Sequence, residues 1–228
     1  MSADSHVVRN THVSRKYQAV GIESEFEPGS RGRVLQNSLG IRHVRDMESA
    51  ESEALEIAQE AALDKFDSRH RFTAKDIREL HRLWLGPIYP WAGEYRSLNI
   101  NKGGFQFAHA PLIPGLMREL ERGVLRRETP CHDHDDPALA RALAEVHAEL
   151  ILIHPFREGN GRVARFLSLL MALQAGLPPL DFTPLAGRGK RAYISAIHSA
   201  LDRNYDPLAQ LFGKIIALSR RHAASNVL

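Results

Sequence analysis

Two apolar runs, 137–153 and 162–175, stand on either side of a short polar loop, and they constrain this chain more than anything else in it. In the first, Leu139, Leu143, Val146, Leu150 and Ile153 recur at helical spacing. In the second, Phe166, Leu167, Leu169, Leu170 and Leu173 leave almost no polar face, which predicts a helix at the centre of a helical assembly. Pro155 stops the first helix, because a proline can neither donate the next backbone bond nor tolerate a helical residue before it. Gly176 and Pro178 close the second.

The remaining segments predict more helices around this pair. From Asp46 onward, Met47, Ala50, Ala54, Ile57, Ala58, Ala61 and Ala62 form an apolar stripe with charged residues on the other face. Thr73 is an N-cap with Asp76 three residues on, much like a capping box. Ile77, Leu80, His81, Trp84 and Leu85 follow, and Gly86-Pro87 ends that helix. Residues 111–124, 188–202 and 207–222 are also helical in pattern. Residues 95–108 lose the helical period. Tyr95, Leu98 and Ile100 on one side, and Phe105 and Phe107 on the other, flank Asn101-Lys102-Gly103-Gly104, as in a short β-hairpin with a glycine turn. Such a hairpin must lean on the helices or on a partner. The expected fold class is therefore all-α with one short hairpin, in a domain spanning 34–228. Residues 1–33 are polar and broken by Pro28-Gly29-Ser30-Arg31-Gly32-Arg33, an N-terminal arm that is either flexible or a docking strand for a partner.

Composition excludes several classes. A net charge of +3 without a dense basic run argues against nucleic acid as partner. No apolar run reaches the length of a membrane span, and the N-terminus has no apolar leader core. Cys131 is the only cysteine, so no disulfide framework can form within the chain. These features predict a cytoplasmic location. His132-Asp133-His134-Asp135-Asp136 has alternating metal-ligand types but no matching cluster elsewhere, so it reads as helix-capping acids ahead of Pro137 rather than as a metal site.

The loop between the two apolar helices concentrates the chemistry. Gly159-Asn160-Gly161 precedes a helix, and two glycines let the backbone turn its N–H groups inward as an anion nest. The helix N-terminus adds free N–H groups and partial positive charge, which makes a phosphate site. Arg162 and Arg165, three apart in the first turn, can bind the same phosphates. Glu158 at the edge of the nest would repel phosphate unless a divalent cation lay between them, which is how Mg²⁺ is held. His154 at the other end is the natural general base for a hydroxyl. Phe156 plugs the loop into the core. Each feature alone is weak, and their joint occurrence in one loop is not.

His154-Pro155-Phe156-Arg157-Glu158-Gly159-Asn160-Gly161-Arg162-Val163-Ala164-Arg165 matches position by position the signature of Fic-domain proteins. Leu80-His81-Arg82, Tyr89-Pro90-Trp91-Ala92-Gly93 and the segment from Lys102-Gly103-Gly104 to Phe107-Ala108 are similar to the family too, so the resemblance covers about residues 35–218. It implies a Fic-type helical bundle with a β-hairpin flap over the active site, moving AMP from ATP onto a Tyr, Thr or Ser hydroxyl of a target protein. By resemblance His154 is the catalytic base and Glu158 holds Mg²⁺. Gly159, Asn160 and Gly161 form the anion hole, and Arg162 and Arg165 orient the outer phosphates. Lys102, Gly103, Gly104, Phe105 and Phe107 belong to the flap that holds the target by strand addition. Tyr193 is a candidate adenine wall. Doc-type members, which phosphorylate, alter the Gly-Asn-Gly-Arg stretch, and this chain keeps it. Many Fic proteins carry an inhibitory Ser/Thr-x-x-x-Glu-Gly/Asn helix whose glutamate pairs with the second motif arginine. Here only Ser49 to Glu53 and Ser52 to Glu56 have the spacing, without the following Gly or Asn, and they read as a solvated face. A small antitoxin supplying the glutamate in trans is therefore expected. Competing readings keep the fold for another phosphate-linked transfer, for removal of AMP, or for nucleotide binding without catalysis. The last would spare no reason to keep His154.

Overall fold

The computed structural model describes residues 23, 25–131 and 135–225. Helix α1 runs over Val44–Lys65 and buries Met47, Ala58 and Ala62, with Glu51 on the same stripe. Helix α2, Ala74–Leu85, begins at the expected capping box. The Thr73 hydroxyl accepts from Asp76 N–H at 3.2 Å, and the Asp76 carboxylate accepts from Thr73 N–H at 2.9 Å. Its apolar stripe, including Ile77, Leu80, Trp84 and Leu85, is fully buried.

The hairpin is shorter than the sequence pattern suggests. Strands β1, Asn101–Lys102, and β2, Phe105–Gln106, pair antiparallel, with Lys102 opposite Phe105. The turn is Gly103-Gly104 alone, both at positive φ (60° and 82°), which is the two-residue geometry that only glycine-like residues adopt easily. Asn101 and Lys102, expected in the turn, are strand residues instead.

Helix α3, Ile113–Leu120, continues through a π-helical stretch, Glu121–Leu125, into the short helix α4, Arg126–Glu128. Helix α5 is Asp136–Ile153, and the Asp135 carboxylate caps it by accepting from Ala138 N–H at 2.9 Å. That assigns Asp135 to capping. Residues 132–134 lie outside the described residues, and among the described residues no group of His, Cys, Asp or Glu could hold a metal ion. Helix α6 is Asn160–Gln174, α7 is Lys190–Ser199 and α8 is Asp206–Ser225.

Helix α6 is central, as its all-round apolarity demands. Val163, Phe166, Leu167, Leu170 and Met171 are buried. It packs on α5 and α2, while α5 also packs on α8 and α3, and α1 covers α2. Of the arm over 1–33, residues 1–22 and 24 lie outside the described residues. Phe26 forms an antiparallel bridge with Leu35, and the Glu23 carboxylate accepts from Ser97 N–H at 2.8 Å. No helix among the described residues is long and apolar enough to cross a membrane.

Candidate active site

His154 caps α5 with φ 54° and ψ 58°, a left-handed conformation that is uncommon outside glycine. Proline at 155 rules out the helical conformation here, and the backbone turns sharply out of the helix. The His154 ring Nδ1 lies 3.2 Å from the Ile151 carbonyl. A carbonyl only accepts, so Nδ1 carries the hydrogen and Nε2 keeps its lone pair. The ring stacks on Phe107 of the hairpin, with centroids 3.7 Å apart and planes inclined by 17°. Burial, with lesser contributions from the charges of Arg96 and Lys102, pushes its pKa down to about 3, so the imidazole is neutral at physiological pH.

The loop after it is pinned from both sides. Phe156 is fully buried, as expected of a plug, and stacks on His81 at 3.9 Å. His81 Nδ1 accepts from Gly93 N–H at 2.8 Å, so its Nε2–H donates to the Glu158 carbonyl at 3.1 Å. The Asn160 side chain turns back on the loop. Its Oδ1 accepts from Phe156 N–H at 2.9 Å, and its Nδ2 donates to the Phe156 carbonyl at 2.8 Å. Gly159 has φ +80°, and a Cβ there would stand 2.6 Å from the Trp84 ring. Glycine is required twice over, by conformation and by contact.

These details revise the anion nest. Only Gly159 is left-handed, and α6 starts at Asn160, so Gly161 lies inside its first turn. The Asn160 side chain is committed to closing the loop. What this segment offers an anion is the N–H groups of the first turn, where a helix has no internal acceptors for them.

The two arginines have different neighbours. Arg162 Nη1 is 2.6 Å from Glu51 Oε2 on α1, and its guanidinium lies over the Trp84 ring, 4.5 Å from the centroid. Its Nη2 is 3.8 Å from Glu158 Oε1. Arg165 is half-buried, and burial lowers its pKa, with Tyr193 opposing and Arg162 assisting. Tyr193 on α7 places its hydroxyl 2.9 Å from His147 Nε2. Glu158 is exposed, and its Oε1 accepts from Gly159 N–H at 3.0 Å. A cavity of about 230 Å³ lies beside this pair, walled by Leu35, Val44, Met47, Glu51, Glu158 and Arg162. On the hairpin, Lys102, Gly103 and Gly104 are exposed, and Phe105 stacks on His198 of α7 at 5.2 Å.

Glu53 and Glu56 are exposed, in line with a solvated face. The glutamate of α1 that reaches the site is Glu51, which spacing alone passed over. One signal was available: 51 falls on the same helical face as 47, 54, 58 and 62, so an acid there needs a buried partner. Spacing also passed over the roles of His81 and His147. Both are buried histidines whose partners come from distant segments.

Comparison with known proteins bears on the fold and the family. Residues 71–172 match the model of the Fic/DOC family. The chain is 30% identical over 167 residues to protein adenylyltransferase VbhT of Bartonella schoenbuchensis, covering 71% of this chain and 33% of that protein. It is 34% identical over 216 residues to protein adenylyltransferase Fic of Drosophila ananassae, covering 87% and 42%. The chain thus spans a third to two fifths of the length of these curated relatives. Among solved structures, the BepC protein of Bartonella tribocorum, a VirB-translocated effector with bound AMPPNP, superposes with a TM-score of 0.66 at 21% identity, over 90% of this chain and 98% of that one. The Fic domain of a Bartonella quintana effector protein with bound ADP gives 0.68 at 23% identity, covering 84% and 94%. The shared fold is that of a helical bundle carrying a small hairpin.

Proposed function

Because this chain carries a Fic/DOC family domain, we propose that it is a protein adenylyltransferase that moves AMP from ATP to a Tyr, Thr or Ser hydroxyl of a target protein. The observation that carries this reading is His154. Its Nδ1–H is spent on the Ile151 carbonyl, and its Nε2 lone pair is left at the mouth of a loop that ends in a helix N-terminus flanked by two arginines. In the reaction the acceptor oxygen bonds to the α-phosphorus, the bond from that phosphorus to the bridging oxygen breaks, and pyrophosphate leaves. The hydroxyl proton passes to His154 Nε2. An imidazole this easily kept neutral is a weak base on its own, and the negative charge of bound phosphates beside it restores its basicity.

The first-turn N–H groups of Asn160 and Gly161 face the phosphates, while Arg162 and Arg165 orient the outer ones. Glu158 fits a Mg²⁺ that arrives with ATP, since it is a single exposed carboxylate beside an anion site and this ion is held by one or two carboxylates plus phosphate oxygens. Mg²⁺ would neutralise charge on the phosphates. The hairpin, Lys102 to Phe107, holds an extended target segment over His154. Tyr193, hydrogen-bonded to His147, forms part of the wall beyond Arg165 for the adenine. A cytoplasmic location, where ATP is abundant, suits this reaction. A small antitoxin whose glutamate pairs with Arg165 is the regulator this site suits, because α1 engages Arg162 and leaves Arg165 facing Tyr193. Equal ATP binding with and without such a partner would sink the antitoxin reading.

Labelled ATP tests the reaction. With MgATP, label from the α-phosphate is expected on a target or on the chain itself, and none in His154→Ala. Transfer of γ label instead means a kinase. ATP binding without any transfer means a nucleotide-binding regulator.

A further inference from the structure

Arg96 is among the largest fully buried side chains of the molecule, and its hydrogen-bond acceptors are backbone carbonyls. Nε donates to the His154 carbonyl at 2.7 Å. Nη1 donates to the Leu98 carbonyl at 2.5 Å, and Nη2 to the Ala108 carbonyl at 2.7 Å. Nη2 also lies 3.4 Å from the Ile153 carbonyl, and the Arg96 backbone N–H donates to the Pro155 carbonyl at 2.9 Å.

Leu98 and Ala108 are the two feet of the hairpin, just outside β1 and β2. A two-stranded hairpin with two residues per strand has no independent stability. Its feet are tied together by a single guanidinium, which at the same time grips the residue that carries the base. Phe107 closes the arrangement from above by stacking on the His154 ring. Five N–H donors in one plane suit this task, and an ammonium cannot reach divergent carbonyls at once. Burial lowers the pKa of Arg96 to about 10, with Glu23 opposing, so the group stays charged at neutral pH.

We propose that Arg96 is a positioning residue that locks the flap and His154 into one unit, so that a target segment laid on the hairpin arrives with its hydroxyl in register with Nε2. The proposal rests on the reading of His154 as base.

The test uses the full chain with Arg96→Lys and Arg96→Met. Four quantities are followed: amide exchange of residues 99–108, titration of the His154 ring by NMR, MgATP affinity, and incorporation of α label into the chain itself. Loss of charge-assisted bonds should speed hairpin exchange and slow labelling by about tenfold or more in both variants. MgATP affinity should stay within about twofold, because Arg96 touches neither arginine nor the α6 N-terminus. In the Met variant His154 should titrate higher, since the Arg96 charge that helps hold it neutral is gone and Lys102 alone remains of that pair. The Lys variant keeps the charge but not the fork, so its His154 should titrate near the wild-type value while its hairpin exchanges fast. If Met fails to fold, Lys alone decides. A folded Lys variant with wild-type exchange and wild-type labelling overturns the proposal. If wild type labels neither itself nor any protein of a lysate, the adenylyl-transfer reading fails, while exchange and titration still decide whether Arg96 couples hairpin and base.

Discussion

Glu51 on α1 and Arg162 on α6 form an ion pair of 2.6 Å across the floor of the site. Glu51 also accepts from the Tyr89 hydroxyl at 2.8 Å, and its backbone carbonyl accepts from Trp84 Nε1 at 2.8 Å. Arg162 lies over that same Trp84 ring. Arg162, which the proposed function assigns to the outer phosphates, is thus held at a fixed place by a carboxylate that would oppose a phosphate there electrostatically.

Glu51→Gln should show both effects. Removing the charge of a pair whose acid is buried and whose arginine is partly solvated should cost about 1–3 kcal/mol of stability, read from urea midpoints. The loss of a negative charge near the phosphates should tighten ATP binding, by about fivefold in titration calorimetry. Weaker binding would mean that Glu51 acts by aiming Arg162.

Gly159→Ala places a methyl against Trp84 and forces a left-handed residue to carry a Cβ. A loss of about 2–4 kcal/mol is expected, with ATP binding lost even where the chain stays folded. Gly161→Ala is the control. It lies inside the helix with Arg165 Nη1 3.9 Å away, and it should be tolerated for folding.

Asn160→Asp keeps the shape of the side chain but replaces the Nδ2 donor with an oxygen facing the Phe156 carbonyl. The loop should lose about 1–3 kcal/mol, and hydrogen exchange at Phe156 and Arg157 should rise accordingly. Unchanged exchange would show that Oδ1 alone holds the turn.

Two buried histidines, His81 and His147, and the half-buried His154 set the acid limit. Burial is the largest cause in each, and it lowers His81 to about 4 and both His147 and His154 to about 3, from an ordinary 6.5. The unfolded chain therefore takes up protons first as pH falls. Their contribution to stability is complete above about pH 6.5 and is lost as pH drops toward the folded values. Near pH 5, unfolding should take up nearly three protons from these residues, at about 1.4 kcal/mol per proton per pH unit. Urea unfolding across pH 5–8 measures the slope, and His147→Gln should lower it by about one proton.

Much of the fold was legible because its signals are local. The apolar periods of α5 and α6, the Thr73 capping box, the Asp135 cap and the Gly103-Gly104 turn all depend on residues a few positions apart, whose stereochemistry the chain states directly. The candidate loop over 154–165 was legible for the same reason, since its candidate residues are contiguous. Its geometry was only partly so. Local reasoning could not foresee that Asn160 folds inward or that α6 begins two residues early and takes Gly161 with it.

By itself, then, the sequence determined the helices, the hairpin and the position of the polar loop between α5 and α6, through short-range periodicity and backbone restriction. Tertiary structure alone decided that Glu51 meets Arg162, that His81 holds Glu158 from 77 residues away, and that Arg96 joins the hairpin to His154 across 58. Burial of a polar group demands a partner but does not say which one. That choice is made by the packing of α1, α2 and the hairpin around α6.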